Sequence, residues 1–303
     1  MIESVKLVNL VTNKELQLGM DNEEYLIEEG GIDWGTIETN HSTFQYPTQI
    51  GVYKTSTQLG TREPSITGWI VGKTISEIED KKLVLSKTVN PLQDIRIVAD
   101  GYYLEGVPAT TVKFSSSYKE NNEVMCKYLI QVFCPFPMWN RVSEIGVSIA
   151  DTQGMFGFPL IFKPEGNIFG LRKNSLFTDV YNYGAIEVGM QLTLVARGVV
   201  NNPMVMNIKT KEYIKINKTL QEGETVVINT SKGERSVMGV SPNGVKSSYF
   251  SYFDYDNSWL QLPVGTSTFT YKTYDSDGNE DDTYKRLDVN VSYRPVLYSI
   301  GSE

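Results

Sequence analysis

One histidine, two cysteines and one acidic run are the residues with which this chain could most readily do chemistry. His41 is the single histidine, so a His-centred triad or a multi-His metal site is excluded within one copy. Such a site could form only across a symmetry axis between copies; the simpler reading of His41 is a solvated or interface loop residue. Cys126 and Cys134 lie eight residues apart in a segment that alternates like a strand, which puts both on one face. At ~3.3 Å per residue they are about 26 Å apart, far beyond the reach of a disulfide, and free thiols are expected, as in a reducing compartment. A metal or redox pair needs a closer spacing, such as C-x-x-C.

Asp275-Ser-Asp277-Gly-Asn279-Glu-Asp281-Asp282 carries oxygen ligands at alternate positions, the donor type that Ca²⁺ takes. Its spacing departs from the EF-hand loop and no helices flank it, so it also reads as the acidic tip of a hairpin. No G-x-S-x-G elbow, P-loop or G-x-G-x-x-G occurs. A carboxylate pair for glycoside hydrolysis stays open in principle, but nothing singles out two of the 36 acids. Trp259 and the stretch Tyr249-Phe-Ser-Tyr-Phe-Asp-Tyr255 offer flat ring faces on which a sugar could stack; they could equally be sandwich core, which Leu260 and Leu262 favour for Trp259. The sequence therefore predicts no enzyme: no catalytic residue, no cofactor and no metal ligand.

The elements that hold these residues are mostly strands. With 303 residues, 40% apolar and 21% charged, the chain is long enough for two cores of roughly 150 residues each. Eighteen Tyr and 12 Phe favour strands. The formal charge of −8 gives no general attraction for nucleic acid or an anionic membrane, and no run of four basic residues offers a local one. The start lacks a basic segment followed by an apolar one, and no apolar run approaches the roughly 20 residues that span a bilayer. No specific nucleic-acid binding, no membrane insertion and synthesis in a cytoplasm are the expectations.

Turn and cap chemistry divides the chain. The first 20 residues predict a strand pair turning at Asn13-Lys14, and residues 21–50 a polar excursion with short strands. Ser65–Val71 predicts a strand. Thr74-Ile-Ser-Glu77 is a capping box opening a helix over about 75–88, with Ile75, Ile78 and Leu85 inward, Lys81 and Lys82 outward, and Asn90-Pro91 as the stop. Asp100-Gly101 predicts a hairpin between 94–98 and 102–105, and residues 110–114 pair with 125–133. Cys134-Pro-Phe-Pro-Met-Trp139 ends a first domain over 1–140, since its prolines stop ladder pairing. A Gly- and Pro-containing connection covers 141–175. The second domain, 176–303, predicts strands at 178–183, 190–196, 203–208, 212–216, 224–229, 235–240, 258–262, 267–274 and 286–293, a sandwich or barrel.

The order of these features resembles the distal tail proteins of long, non-contractile-tailed bacteriophages. In the first domain the resemblance lies in Gly60-Thr-Arg62 and Ile66 before a capped helix ending at Asn90-Pro91, then Gly101-Tyr-Tyr-Leu-Glu-Gly106, then a long strand closing on Phe133-Cys-Pro-Phe-Pro-Met-Trp139. In the second it lies in Tyr181-Asn-Tyr-Gly184, the strands around Ile208–Glu212, Glu222–Asn229, Trp259–Gly265 and Val289–Pro295. The resemblance implies a mostly β fold: a ring-forming N-terminal β-barrel or sandwich with one α-helix, and a galectin-like C-terminal β-sandwich. It also implies a structural virion protein at the tail tip, a homo-hexamer around a channel for DNA. The implied partners are the tail tube protein on one face, the tail-associated hub or lysin protein on the other, and receptor-binding or baseplate proteins outside. The alternative is a tail adhesion module that binds host cell-wall carbohydrate. Galectins bind sugar through a motif that includes a histidine; the second domain has none, so lectin activity does not follow from the fold.

Overall fold

A computed structural model describes residues 4–48, 50–154, 170–173 and 177–300. Two compact units emerge, Met1–Val142 with Leu297–Glu303, and Ser143–Val296.

The first unit holds strands β1 (Ser4–Asn9), β2 (Glu15–Gly19), β3 (Tyr25–Asp33), β4 (Thr39–Phe44), β5 (Tyr53–Leu59) and β6 (Ser65–Val71), helix α1 (Ile75–Thr88), then β7 (Ile95–Ala99), β8 (Tyr102–Pro108), β9 (Lys113–Phe114), β10 (Met125–Phe133) and β11 (Trp139–Arg141). Seven of them close a barrel in the order β8-β7-β1-β2-β3-β6-β10, with β10 returning to β8 through Val132↔Pro108 and Phe133↔Val107. Strict alternation places Val5, Leu7, Ile66, Ile70, Ile95 and Ile97 inside. The β7–β8 turn works as expected: Asp100 and Gly101 have φ of 54° and 77°, the two positive values of a tight hairpin turn.

Two expectations for this unit change. The polar excursion over 21–50 contains β3, a nine-residue barrel strand; its Glu28 pairs with Lys127 across the sheet at 2.9 Å, so its polar face is in use. The prolines after Cys134 do not end the domain's pairing either, because β11 adds to β8 through Asn140↔Tyr103 and buries Trp139 completely.

Helix α1 starts at its capping box. The Glu77 amide donates to Thr74 Oγ1 (3.3 Å), and the Glu77 carboxylate takes the amide of Lys73 (2.9 Å) instead of the cap amide. Ile78 and Leu85 are buried as expected, whereas Ile75 is exposed. Lys81 and Lys82 are not outward: their side chains are largely covered, Lys81 donating to Glu77 (2.7 Å) and to the Val71 carbonyl (2.8 Å). The buried Asn9 side chain ties the helix end to the barrel by donating to the Thr88 carbonyl (3.0 Å).

The second unit holds β12 (Ile145–Gly154), β13 (Gly170–Lys173), β14 (Phe177–Asn182), β15 (Gln191–Ala196), β16 (Met204–Asn207), β17 (Tyr213–Lys215), β18 (Thr225–Asn229), β19 (Ser236–Val240), β20 (Lys246–Ser248), β21 (Gly265–Lys272) and β22 (Leu287–Tyr293); β23 (Val296–Leu297) follows. Of the connection expected over 141–175, residues 155–169 and 174–176 lie outside the described residues, while β12 and β13 are sheet strands. A seven-stranded sheet runs β13-β12-β22-β15-β18-β19-β20 and a four-stranded one β14-β21-β16-β17. The rows Leu192, Leu194, Val226 and Ile228 on the first, and Val205, Ile214, Phe269 and Tyr271 on the second, are buried, as the inner faces of a sandwich require.

Eight of the nine strands expected here form, with shifted ends. The ninth, over 258–262, does not. Ser258 donates to Tyr213 (3.0 Å), Leu262 bridges Val188, and the Gln261 side chain donates to Thr230 (2.9 Å), so three different neighbours take the bonds that one ladder would.

Candidate interaction surfaces

Strands β4 and β5 pair only with each other, from Thr39↔Leu59 to Phe44↔Tyr53. Every residue along both is exposed. An isolated two-stranded hairpin is marginally stable in water. This one carries an aromatic cluster at its tip, with Phe44 and Tyr46 centroids 4.8 Å apart and Tyr46 and Tyr53 6.4 Å apart, and Ile50 and Val52 are also exposed. His41 stands on this hairpin, its Nδ1 3.0 Å from Thr57 Oγ1 and open to solvent. Among the described residues no group of three or more His, Cys, Asp and Glu that could hold a metal includes it. Ile75, Leu83 and Val84 of α1 and Leu92 are further exposed apolar residues of this unit. The apolar tip escaped the sequence reading because Phe44, Tyr46, Val52 and Tyr53 are dispersed among polar residues, and only the pairing register collects them.

Cys126 and Cys134 are free and buried. Burial raises the pKa of both thiols, that of Cys134 to about 12 even beside the cationic Arg62, so neither is a nucleophile near neutral pH. Arg62 is itself buried, pairs through its backbone with Cys134 and donates Nη2 to the Tyr298 carbonyl.

In the second unit the acidic run folds as a turn that satisfies itself. Asp275 Oδ1 takes the amides of Asp277 (2.9 Å) and Asn279 (2.8 Å), and Asp281 takes the hydroxyls of Thr273 and Thr283. These bonds hold both carboxyls below the ordinary aspartate pKa, the Asn279 amide contributing most at Asp275; at Asp281 they outweigh the raising effect of burial. Among the described residues no group of three or more His, Cys, Asp and Glu is arranged around a metal position.

A cavity of about 510 Å³ opens on the same unit between Phe177, Met206, Thr270, Lys272, Glu280 and Tyr284. Trp259 is half-buried, unlike the core residue expected. It stacks on Phe253 (4.7 Å) and Phe250 (6.2 Å), while Leu260 and Leu262 enter the core.

A charged cluster anchors this aromatic segment, and no motif marks it in the sequence. Glu224 is buried, with Lys218 Nζ at 2.5 Å, the Gln221 amide at 2.9 Å and the Tyr249 hydroxyl donating to it. Burial alone would raise the pKa of Glu224; the bonds from Lys218, Tyr249 and Gln221 outweigh it and bring the net value below the ordinary one. A depressed folded pKa gives stability that is present above the unfolded value, about 4.3, and is lost as pH falls through the folded value below it. Replacing Glu224 by Ala leaves Lys218 and Tyr249 without their acceptor. It is expected to cost about 2–3 kcal/mol at neutral pH and to remove most of the acid-dependent loss; urea titrations at pH 7 and pH 3.5 measure both effects.

Comparison with known proteins agrees with this two-unit architecture. Residues 23–134 match the family model of the phage tail protein RIFT-related domain, and residues 183–294 that of the siphovirus-type tail component, C-terminal domain. The SPP1 Dit protein, described as a paradigm of the hub adsorption apparatus in phages infecting Gram-positive bacteria, superposes with a TM-score of 0.63 at 10% identity, over 96% of this chain and 98% of that one. Chains of the phage p2 baseplate in its activated conformation, with Sr and with Ca, give TM-scores of 0.49 and 0.47 at 8% and 10% identity, over 97% and 96% of this chain and 98% of each of those. No curated protein sequence matches. The two domains, in this order, define a siphovirus-type tail component. The chain belongs to the distal tail proteins of siphophages, with the mostly β, Dit-like fold of that family.

Proposed function

We propose that this chain is the structural hub at the distal end of the tail. Six copies would close a ring through their N-terminal barrels, joining the tail tube above to the tail-tip or baseplate proteins below and leaving a channel for DNA. The observation that carries this reading is the succession of the two family domains on a fold that superposes on the SPP1 hub protein over nearly its whole length. The exposed β4–β5 hairpin supports it, because an aromatic tip left in water suits contact with a neighbouring copy. A head-to-tail contact of this kind closes into a ring when its rotation permits. The chain's charge of −8 suits a conduit that must not hold passing phosphates. The tail tube protein and a tail-associated hub or lysin protein are the proposed axial partners, with receptor-binding or baseplate proteins outside and the virion tail tip as the location.

Native mass spectrometry of the purified full-length chain tests this reading, with a hexamer as the expected species. A strict monomer at high concentration, together with antibody labelling of virions away from the tail tip, would count decisively against it.

A further inference from the structure

The turn that joins β19 to β20 carries the chain's single Asn-Gly pair, Asn243-Gly244. Pro242 stands second and Asn243 third in a four-residue turn, closed by the Gly244 amide donating to the Ser241 carbonyl (2.8 Å), and Gly244 follows with a φ of 80°. The Ser241 amide donates to the Val245 carbonyl (3.0 Å), and the Val245 amide to Ser241 Oγ (3.2 Å). Beyond the turn lies β20, three exposed residues paired with β19 at the edge of the seven-stranded sheet.

An asparagine followed by glycine can lose its side-chain amide without an enzyme. The glycine amide gives its proton to hydroxide and its nitrogen bonds to the asparagine Cγ. The Cγ–Nδ2 bond breaks, and the departing nitrogen takes a proton from water and leaves as ammonia. Water then opens the succinimide ring at either carbonyl, giving aspartate or isoaspartate. Three features of this turn favour the reaction. Asn243 is exposed, and its side chain makes no hydrogen bond among the described residues. Gly244 has no Cβ to crowd the ring, and a Cβ there would meet nothing within 4 Å, so the approach is open. A short exposed edge strand also opens at little cost. One feature opposes it: the attacking nitrogen is held on the Ser241 carbonyl, so cyclisation waits for the turn to open. Asn257-Ser258 is the contrast. Its follower is also small, but Asn257 Oδ1 takes the Lys215 amide (2.7 Å) and Nδ2 donates to the Lys215 carbonyl (2.8 Å), which fixes the side chain.

We propose that Asn243 is a self-modification site: it deamidates in the folded protein at a rate set by the opening of β20, and its isoaspartate product undoes the β19–β20 hairpin. Isoaspartate routes the main chain through the side-chain carbon and adds one methylene to a turn closed by bonds of 2.8 and 3.0 Å. The register from Val240↔Lys246 to Met238↔Ser248 is then lost. Strand β20 leads directly to Tyr249, whose hydroxyl donates to Glu224, so the change reaches the buried charged cluster. The site does not depend on ring formation. The test ages the full-length protein at about pH 8.5 and about pH 6.5 and then digests it with trypsin. Cleavage after Arg235, Lys246 and Lys272 releases residues 236–246 and 247–272, each with a single asparagine, Asn243 and Asn257. Peptide 236–246 is expected to gain about 1 Da, faster at the higher pH, and to accept a methyl group from protein isoaspartyl methyltransferase. Peptide 247–272 is expected to convert at least about tenfold more slowly. Ser241→Ala removes the acceptor of the Val245 amide and is expected to convert about threefold faster. Asn243→Gln is expected to stop the gain with an unchanged melting curve. Three results would each overturn the proposal: no gain in 236–246, a gain no faster than that in 247–272, or equal rates in wild type and Ser241→Ala.

Discussion

Replacing Phe44 and Tyr53 together by serine is expected to convert the proposed ring into a monomer while leaving the fold intact, measured by light scattering after size-exclusion chromatography. Both side chains are more than half exposed in the isolated chain, at 52% and 59%, so neither holds the barrel core together. Surface substitutions of this kind usually change stability by no more than about 0.5 kcal/mol. They are opposite partners in the hairpin register and sit in the aromatic tip cluster with Tyr46. If the tip is buried against the next copy, each ring side chain is a candidate anchor worth about 2 kcal/mol, and aromatic anchors of this kind carry most of an interface's energy. Losing about 4 kcal/mol per contact weakens each by roughly a thousandfold, and a closed ring repeats the loss at every subunit boundary. An oligomer unchanged by the double substitution would move the interface elsewhere, the exposed Leu83 and Val84 of α1 being the next residues to test.

Local chemistry made much of this molecule legible in advance. Thr74 and Glu77, Asp100-Gly101, and the alternating runs at 65–71 and 125–133 act within a few residues, and each forms the element its pattern calls for. Long-range pairing set the limits. β3 reads as polar because its outer face is spent on partners such as Lys127, which lies 99 residues away in the chain. Lys81 and Lys82 read as solvated, yet their ammonium groups fold back onto carboxylates and a carbonyl while their stems are covered. Trp259 reads as core from its alternation with Leu260 and Leu262; the segment is not a strand, so the alternation did not place it. The same limit hid the hairpin tip and the Lys218–Glu224–Tyr249 cluster, in which Tyr249 reaches Glu224 only after β18, β19 and β20 have paired.

The barrel seam supplies the sharpest test of the fold itself. Strand β8 is paired with β7, β10 and β11, and it is where the barrel closes. Gly106 faces β10 there. A Cβ at this position would lie 2.3 Å from the Phe133 carbonyl oxygen and 3.0 Å from the Cys134 Cα, both backbone atoms of the opposing chain that no side-chain rotation can move. Gly106→Ala must therefore push β10 away from β8 and loosen Val107↔Phe133 and Pro108↔Val132. A cost of about 3 kcal/mol is expected, at the upper end of ordinary overpacking. Urea unfolding followed by tryptophan fluorescence is suited to it, since Trp139 is fully buried in this unit. Gly101→Ala is the control. Its φ of 77° puts it in the left-handed region but its Cβ would meet nothing, so only the conformational cost of about 1–2 kcal/mol applies. If Gly106→Ala unfolds no earlier than Gly101→Ala, the seam is looser than the geometry requires. The comparison also bears on assembly. Gly106→Ala is expected to weaken the proposed ring together with the barrel, and the Phe44–Tyr53 double substitution to lose the ring alone. Measuring oligomer mass and unfolding midpoint on both variants therefore separates the role of the barrel as scaffold from that of the hairpin as contact.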